Sequence, residues 1–319
     1  MSYSHSNCPL VSIIIPVFNG SNYLKQAIES ALAQTYDNIE ILVINDGSSD
    51  EGKTEAVALS YGDKIRYYCK PNGGVSSALN LGISQMQGEY FSWLSHDDAY
   101  EPQKIELQMQ QILAHSSTNA IALCGGVFID EKSEIIAKKR LPVPFANGFV
   151  SRDTALCYLL DKGWFNGCAM LIPRSAFKNC GSFREDLRFS QDYLMWANIL
   201  LGGYDLLFND RPLVLSRIHN AQQTHTNKHL FAHDSAVIAD LIAPQLASRA
   251  SSNFLFLFAK RNAVLGCKQA TKLCLAQAKK HQIFGFFERI CVLFATAYGA
   301  IRPFIRKLYY LLILRVRTN

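Results

Sequence analysis

Two adjacent carboxylates, Asp97 and Asp98, close the segment SHDD (Ser95–Asp98) directly after an apolar run, EYFSWL (Glu89–Leu94). Neighbouring carboxylates repel, and each is costly to desolvate, so such a pair needs a cation, an arginine or open water. Aspartate oxygens suit Mg²⁺ or Mn²⁺, which keep coordination positions for water and phosphate oxygens. A divalent cation gripping a diphosphate is the chemistry this pair can support. The plainer alternative is a strand reaching solvent, with Asp98 helping to cap a helix near Pro102.

Three further segments carry groups that fit such a ligand. Asp46 in NDGSSD is acceptor-only and can take a hydrogen bond from a base N–H, while Phe18 can offer that base a ring face. The glycines of NGG (Asn72–Gly74) let backbone approach a ligand closely, and the helix start after them favours an anion. Taken singly, Asp46 reads more readily as a turn residue or helix cap, Asn72–Gly74 as an ordinary turn and Phe18 as core; it is their convergence at the strand ends of one sheet that favours a ligand. Neither GxxxxGK[ST] nor GxGxxG occurs, which argues against ATPase and dinucleotide chemistry. A nucleoside diphosphate held through metal is the simplest ligand left.

The elements that must position these residues alternate. VSIIIPVF (Val11–Phe18) reads as a strand buried on both faces, and SNYLKQAIESALAQ (Ser21–Gln34) as a helix capped at Ser21. IEILVIND, IRYYCK, EYFSWL and AIALCGGVFID read as strands. The helices among them are expected near Glu51–Ser60, over VSSALNLGISQM and after Pro102. Alternation from Val11 to Asp130 predicts a mostly parallel central sheet flanked by helices, with ligand beyond the carboxyl ends of its strands. PVFN, NDGSSD, KPNGG and SHDD all fall at those ends. After Pro142 come a helix SRDTALCYLL, a helix around Ser190–Gly203 and a strand LVLSRIH. Past His229 the chain becomes helical and basic.

Charge is divided unevenly. Residues 249–319 hold 13 Lys or Arg against one acid, Glu288, a net +12, while the rest of the chain carries −6. A basic tail on an acidic body suits phosphate groups on lipid or nucleic acid, but no nucleic-acid reader motif is present. FFERICVLFATAYGAIRPFIRKLYYLLILRVR mixes apolar and cationic blocks, with Pro303 expected to break it into two helices. No run reaches the roughly 20 apolar residues needed to span a bilayer, so a membrane-surface helix is expected, a packed helical bundle being the alternative. Nine cysteines without a CxxC pair indicate a reduced, cytoplasmic protein.

PVFNG, INDGSSD, KPNGG, the strand ending HDD with AYEP behind it, FNGCAMLIPRSAF and FREDLRFSQDYLMW together resemble the family 2 glycosyltransferases, of the bacterial surface-polysaccharide type. The resemblance runs from about Val11 to His219. It implies a GT-A fold over residues 1–229, with a nucleotide-binding half (about 10–130), an acceptor half (about 131–229) and a helical extension (230–319). It also implies inverting transfer of a sugar from a nucleotide donor, UDP- or dTDP-type, to a glycan or polyprenyl-linked acceptor. By the same resemblance Pro16, Val17, Phe18 and Asn19 contact base and ribose, Asp46 reads the base, and Asn72 and Gly73 join them. Asp97 meets ribose or metal, Asp98 binds Mn²⁺ or Mg²⁺, and His219 completes the metal site or touches the diphosphate. Asp192, in Gln191–Asp192–Tyr193, stands at the general-base position; as an alternative it caps the following helix. Ser95 stands where the family's acidic motif usually has another Asp, Gln191 replaces a commoner acid, and His96 reads as a contributor or an exposed bystander. Specificity is expected in LPVPFANG and KGWFN. The rival readings are a nucleotidyltransferase, which usually carries an early basic Gly-rich loop, and a non-catalytic nucleotide-sugar-binding homologue.

Overall fold

The computed structural model describes residues 8–117, 119–141, 145–219, 230–249 and 253–317. These form two compact units. The first runs to Ala155 and resumes from Trp164 to His219; the second comprises Leu156–Gly163 and the helices after Leu230. The boundary expected at 229, and residues 142–144 of LPVPFANG, lie outside the described residues.

The first unit is built on one sheet. Its opening strands are β1 (Val11–Val17), β2 (Ile39–Asn45), β3 (Arg66–Cys69) and β4 (Tyr90–Trp93), followed by β5 (Ala99–Tyr100) and β6 (Ala120–Ile129). Then come β7 (Ile135–Arg140), β8 (Gly148–Val150), β9 (Met170–Pro173) and β10 (Asp205–Arg217). The order is β3-β2-β1-β4-β9-β6-β10-β5, with β7 on β6 and β8 on β10. β1 through β4 pair in parallel, as do β6 and β10; the antiparallel β9 sits between β4 and β6 and joins the two sets.

Parallel strands covered on both faces are apolar throughout, and every residue of β1 is buried. The helices are α1 (Leu24–Leu32), α2 (Lys53–Leu59), α3 (Val75–Gln85), α4 (Lys104–Ala114), α5 (Arg152–Lys162), which belongs to the second unit from Leu156 onward, α6 (Arg174–Cys180) and α7 (Gln191–Leu201). α1 buries Leu24, Ala27, Ile28 and Ala31, the expected face, but begins three residues after Ser21 and has no side-chain cap. In α4, Lys104 is wholly buried. It donates from Nζ to Ser92 Oγ at 2.6 Å and to the Met170 carbonyl at 3.1 Å, and lies 4.2 Å over the Tyr100 ring. Burial lowers its pKa to about 8.

The second unit contains α8 (Phe231–Ala247), α9 (Asn253–Val264), α10 (Lys268–Lys280) and α11 (Phe286–Arg317). α9 packs on α10 and α11, and α10 on α8. The break expected at Pro303 does not occur: α11 is continuous. A proline removes one i→i−4 bond and crowds the carbonyl four residues back, a cost of about 3 kcal/mol. Packing outweighs it here. The preceding turns are pinned to α9, where a side chain at Gly299 would run into the Ala263 carbonyl.

Candidate active site

The acid pair sits at the carboxyl end of β4, in a turn closed by Asp98 N–H donating to the Ser95 carbonyl at 3.1 Å. Asp98 is 6% exposed. Its Oδ1 accepts from the Arg217 backbone N–H at 2.8 Å, and its Oδ2 lies 3.3 Å from Cys168 Sγ. Asp97 Oδ2 lies 2.9 Å from His219 Nε2, so the tail of β10 and the end of β4 meet here. Burial, then the Asp97 charge, push the Asp98 carboxyl up to about 8. Burial and Asp98 raise the Cys168 thiol well above its usual range.

Arg217 holds this turn from beneath. It is 1% exposed. Nε donates to the Asp97 carbonyl at 2.8 Å, Nη1 to the Asp130 carbonyl at 2.8 Å and Nη2 to Gln26 Oε1 at 2.6 Å. The guanidinium lies 4.3 Å over the Tyr23 ring, whose own centroid is 5.4 Å from His219. His96 is not an exposed bystander. Its half-buried ring packs against Gly20, where any side chain would collide with it, and burial lowers its pKa.

Would these residues suit a divalent cation? Among the described residues no group of three or more His, Cys, Asp or Glu forms a ready-made cage. The donor chemistry nevertheless fits. Asp97 and Asp98 are hard oxygen ligands, each with lone pairs beyond the bonds just given, and Mg²⁺ or Mn²⁺ sites are commonly one or two carboxylates completed by substrate phosphate oxygens. A cation there would also relieve the like-charge, buried state of Asp98.

On the other side of the sheet's carboxyl edge, Pro16 and Val17 are buried in β1. Val17 O accepts from Asp46 N–H at 2.8 Å. Phe18 is 38% exposed. Asn19, in the left-handed region at φ 48°, spends its side chain on the next loop: Oδ1 accepts from Ser49 N–H at 2.7 Å. Asp46 is 3% exposed and similarly engaged. Its Oδ1 accepts from Lys70 Nζ at 2.7 Å and from Gly73 N–H at 3.0 Å, and its Oδ2 from Gly74 N–H at 2.7 Å. Asn72 Nδ2 donates to the Asp46 carbonyl at 3.0 Å. The anion at the start of α3 is thus Asp46 itself, which pins the NGG loop to the end of β2.

Asp192 lies in the first turn of α7, whose N-cap is Ser190, so it is not the cap residue. Its Oδ1 accepts from Tyr193 N–H at 2.8 Å, and burial pushes its carboxyl up to about 6. α7 is oriented by aromatic packing: Trp93 at the end of β4 meets Phe183 edge-on at 6.1 Å, and Phe183 meets Trp196 at 5.9 Å. Asp192 lies one turn before Trp196 on the same helical face.

Two residues that sequence reasoning missed tie the approach to α7 onto α3. Asn80 donates from Nδ2 to the Phe183 carbonyl at 2.8 Å and accepts Phe183 N–H at 3.0 Å. Arg188 Nη1 donates to the Gly73 carbonyl at 2.7 Å, with the guanidinium packed on Gly74. The one signal in the sequence was a polar Asn inside the apolar pattern VSSALNLGIS.

A family model described as "Glycosyl transferase family 2" matches residues 12–181. A Rickettsia prowazekii protein named an uncharacterized glycosyltransferase is 41% identical over 312 residues, covering 94% of this chain and 95% of that one. A Rickettsia felis protein of the same description is 45% identical over 254 residues, covering 78% of this chain but 42% of its own length, so this chain spans about two fifths of that relative. Among solved structures, Staphylococcus aureus TarS 1–349 in complex with UDP-GlcNAc superposes with a TM-score of 0.69 at 16% identity, covering 93% of this chain and 92% of TarS 1–349. That likeness establishes the fold: α/β of the GT-A type, with helices after it.

Proposed function

The chain belongs to glycosyl transferase family 2, and from that premise we propose that it moves a sugar from a nucleoside-diphosphate donor to a hydroxyl acceptor with inversion at the anomeric carbon. The observation that carries the reading is the meeting of Asp97, Asp98, Arg217 and His219 at the carboxyl edge of a sheet whose other strand ends hold Phe18 and Asp46. A donor of the UDP or dTDP type fits, and TarS, similar in fold, is described in complex with UDP-GlcNAc.

In this reading the base stacks on Phe18, with Pro16, Val17 and Asn19 shaping its loop. Asp46 offers its remaining acceptor capacity to a base N–H and holds Asn72 and Gly73 beside the nucleotide. Asp97 would contact ribose or cation. Asp97 and Asp98, with His219 beside Asp97, would hold a divalent cation, Mn²⁺ or Mg²⁺, which would supply neutralisation of the charge that gathers on the departing diphosphate. Arg217 fixes the turn that presents both carboxylates. Asp192, with its carboxyl near 6, is ionised at neutral pH and still basic enough to take the acceptor hydroxyl's proton as oxygen attacks. The new C–O bond forms opposite the one that breaks, the electron pair leaving with the diphosphate.

Residues 1–229 serve as the transferase domain and 230–319 as an extension. The +12 charge of residues 249–319 supports a cytoplasmic enzyme at the inner face of the cell membrane, acting on a polyprenyl-linked or growing surface glycan rather than nucleic acid. The test is a panel of nucleotide sugars assayed for released nucleoside diphosphate, with Mn²⁺ and with chelator. Cation-dependent release from one donor is expected; release from none would favour a non-catalytic nucleotide-sugar-binding protein.

A further inference from the structure

α11 carries two faces. Val292, Ala295 and Gly299 are buried, the last against α9. On the other side Phe286, Phe287, Leu293 and Phe294 are 76%, 78%, 67% and 73% exposed, and Tyr298 and Ile301 about half exposed. At 100° per residue these six fall in two adjacent rows facing away from α9. Contiguous aromatic surface of this kind is rare on a monomer and marks an interaction site. Its flanks are cationic. On α11 itself Arg289 is exposed and Arg302 half-buried, at the two edges of the apolar face; Lys279 and Lys280 are exposed at the end of α10, and Glu288 is the one acid between residues 249 and 319.

We infer that this face of α11 docks on an anionic phospholipid surface, with Phe286, Phe287, Leu293, Phe294, Tyr298 and Ile301 entering the acyl boundary and the flanking Lys and Arg meeting lipid phosphates. Aromatic side chains beside a cationic rim are what an interfacial helix needs, whereas a protein groove would not require so one-sided a charge. No helix among the described residues is long and apolar enough to cross a membrane, which agrees with a helix lying in the surface plane. The inference deepens the membrane-side reading above and rests on it, but not on the reaction.

Flotation of the full chain with vesicles of phosphatidylcholine alone, or with roughly a third phosphatidylglycerol, tests it. The wild type floats with the anionic vesicles only, and about 0.5 M NaCl weakens the association. A variant with Phe286→Ser, Phe287→Ser and Phe294→Ser loses at least tenfold in bound fraction, yet releases nucleoside diphosphate at the wild-type rate in solution. Tyr298→Trp in the otherwise unchanged chain gives a blue-shifted emission with anionic vesicles, a readout that survives misfolding of the triple variant. Equal flotation of wild type and triple variant, or no flotation of the wild type, overturns the inference. So does a wild-type dimer in light scattering that the triple variant dissolves, since a second copy then covers the face. Lost nucleotide release with retained flotation strikes the catalytic reading alone.

Discussion

Arg188 donates to the carbonyl of Gly73 across 115 positions of sequence, so the segment that delivers Asp192 is fastened to the loop that Asp46 organises. Asn80, seven residues on and within α3, makes a second fastening through its paired bonds with Phe183. The segment leading to Asp192 and the Asn72–Gly74 loop are thereby registered to each other by hydrogen bonds rather than by chain proximity.

Loosening that register should damage transfer more than donor binding. Asn80→Ala removes both bonds to Phe183, and displacement of a reacting group by ~1 Å costs on the order of 10²-fold in rate. We expect kcat to fall by about that factor while donor KM changes by less than about threefold. Steady-state kinetics checks it; a change confined to KM would mean that Asn80 serves the nucleotide side.

Asp192→Asn should keep nucleotide binding and lose roughly 10²- to 10⁴-fold in turnover. In the wild type, kcat/KM should fall as pH drops through about 6, where the carboxyl takes its proton. Stability responds in the opposite sense. Between the ordinary carboxylate range and about 6 the folded chain holds a proton the unfolded chain lacks, so stability declines as pH rises through that window. The Asn variant escapes this, and its Tm at pH 7.5, an assay condition of about neutral pH, should exceed the wild type's by on the order of a few °C. A calorimetric scan of both proteins decides.

Lys104 is buried with a depressed pKa of about 8. Below that pH both folded and unfolded chains are protonated, and the full cost of burying the charge is felt. Between about 8 and the usual lysine value of about 10.4 the unfolded chain alone holds the proton, so stability rises with pH. Lys104→Met should raise Tm at neutral pH and flatten the rise on going alkaline, as found when apolar groups replace buried charges. A lower Tm would mean that its bonds to Ser92 and Met170 matter more than the desolvation.

Arg217→Lys keeps a positive charge but loses the planar fork that joins Asp97, Asp130 and Gln26. With the acid turn released, we expect Mn²⁺-supported UDP binding to weaken at least about tenfold, an effect of roughly 1.4 kcal/mol. Titration calorimetry measures it; unchanged affinity would leave Arg217 a purely structural residue.

Much of the donor-side frame was legible because its signals are local. β1, β2 and β4 are mainly apolar runs and β3 a short Tyr-rich strand, each ended by turn residues, and the helices between them show 3.6-residue spacing. The acids at 97 and 98 were legible as a pair; the bond from Asp97 to His219 joins residues 122 positions apart. Asn80 and Arg188 were hidden because their partners lie more than a hundred residues away. Lys104 was hidden because lysine in the first turn of a helix ordinarily reads as solvated. β9 is only four residues long, MLIP, and so short an apolar run carries no period from which antiparallel insertion can be inferred. The continuity of α11 through Pro303 is not legible locally, because it depends on the close approach of Gly299 to the Ala263 carbonyl.

β9 has a mechanical consequence. Its main chain bonds to β4 on one edge and β6 on the other, so a single ladder runs from the strands bearing Phe18 and Asp46 to the strand bearing Arg217. Swinging those parts apart like jaws would mean tearing that ladder. Reactants must therefore be admitted by rearrangement of rim loops over a floor that stays rigid, and rate-limiting steps that depend on motion should map to substitutions in those loops and not to the strands beneath them.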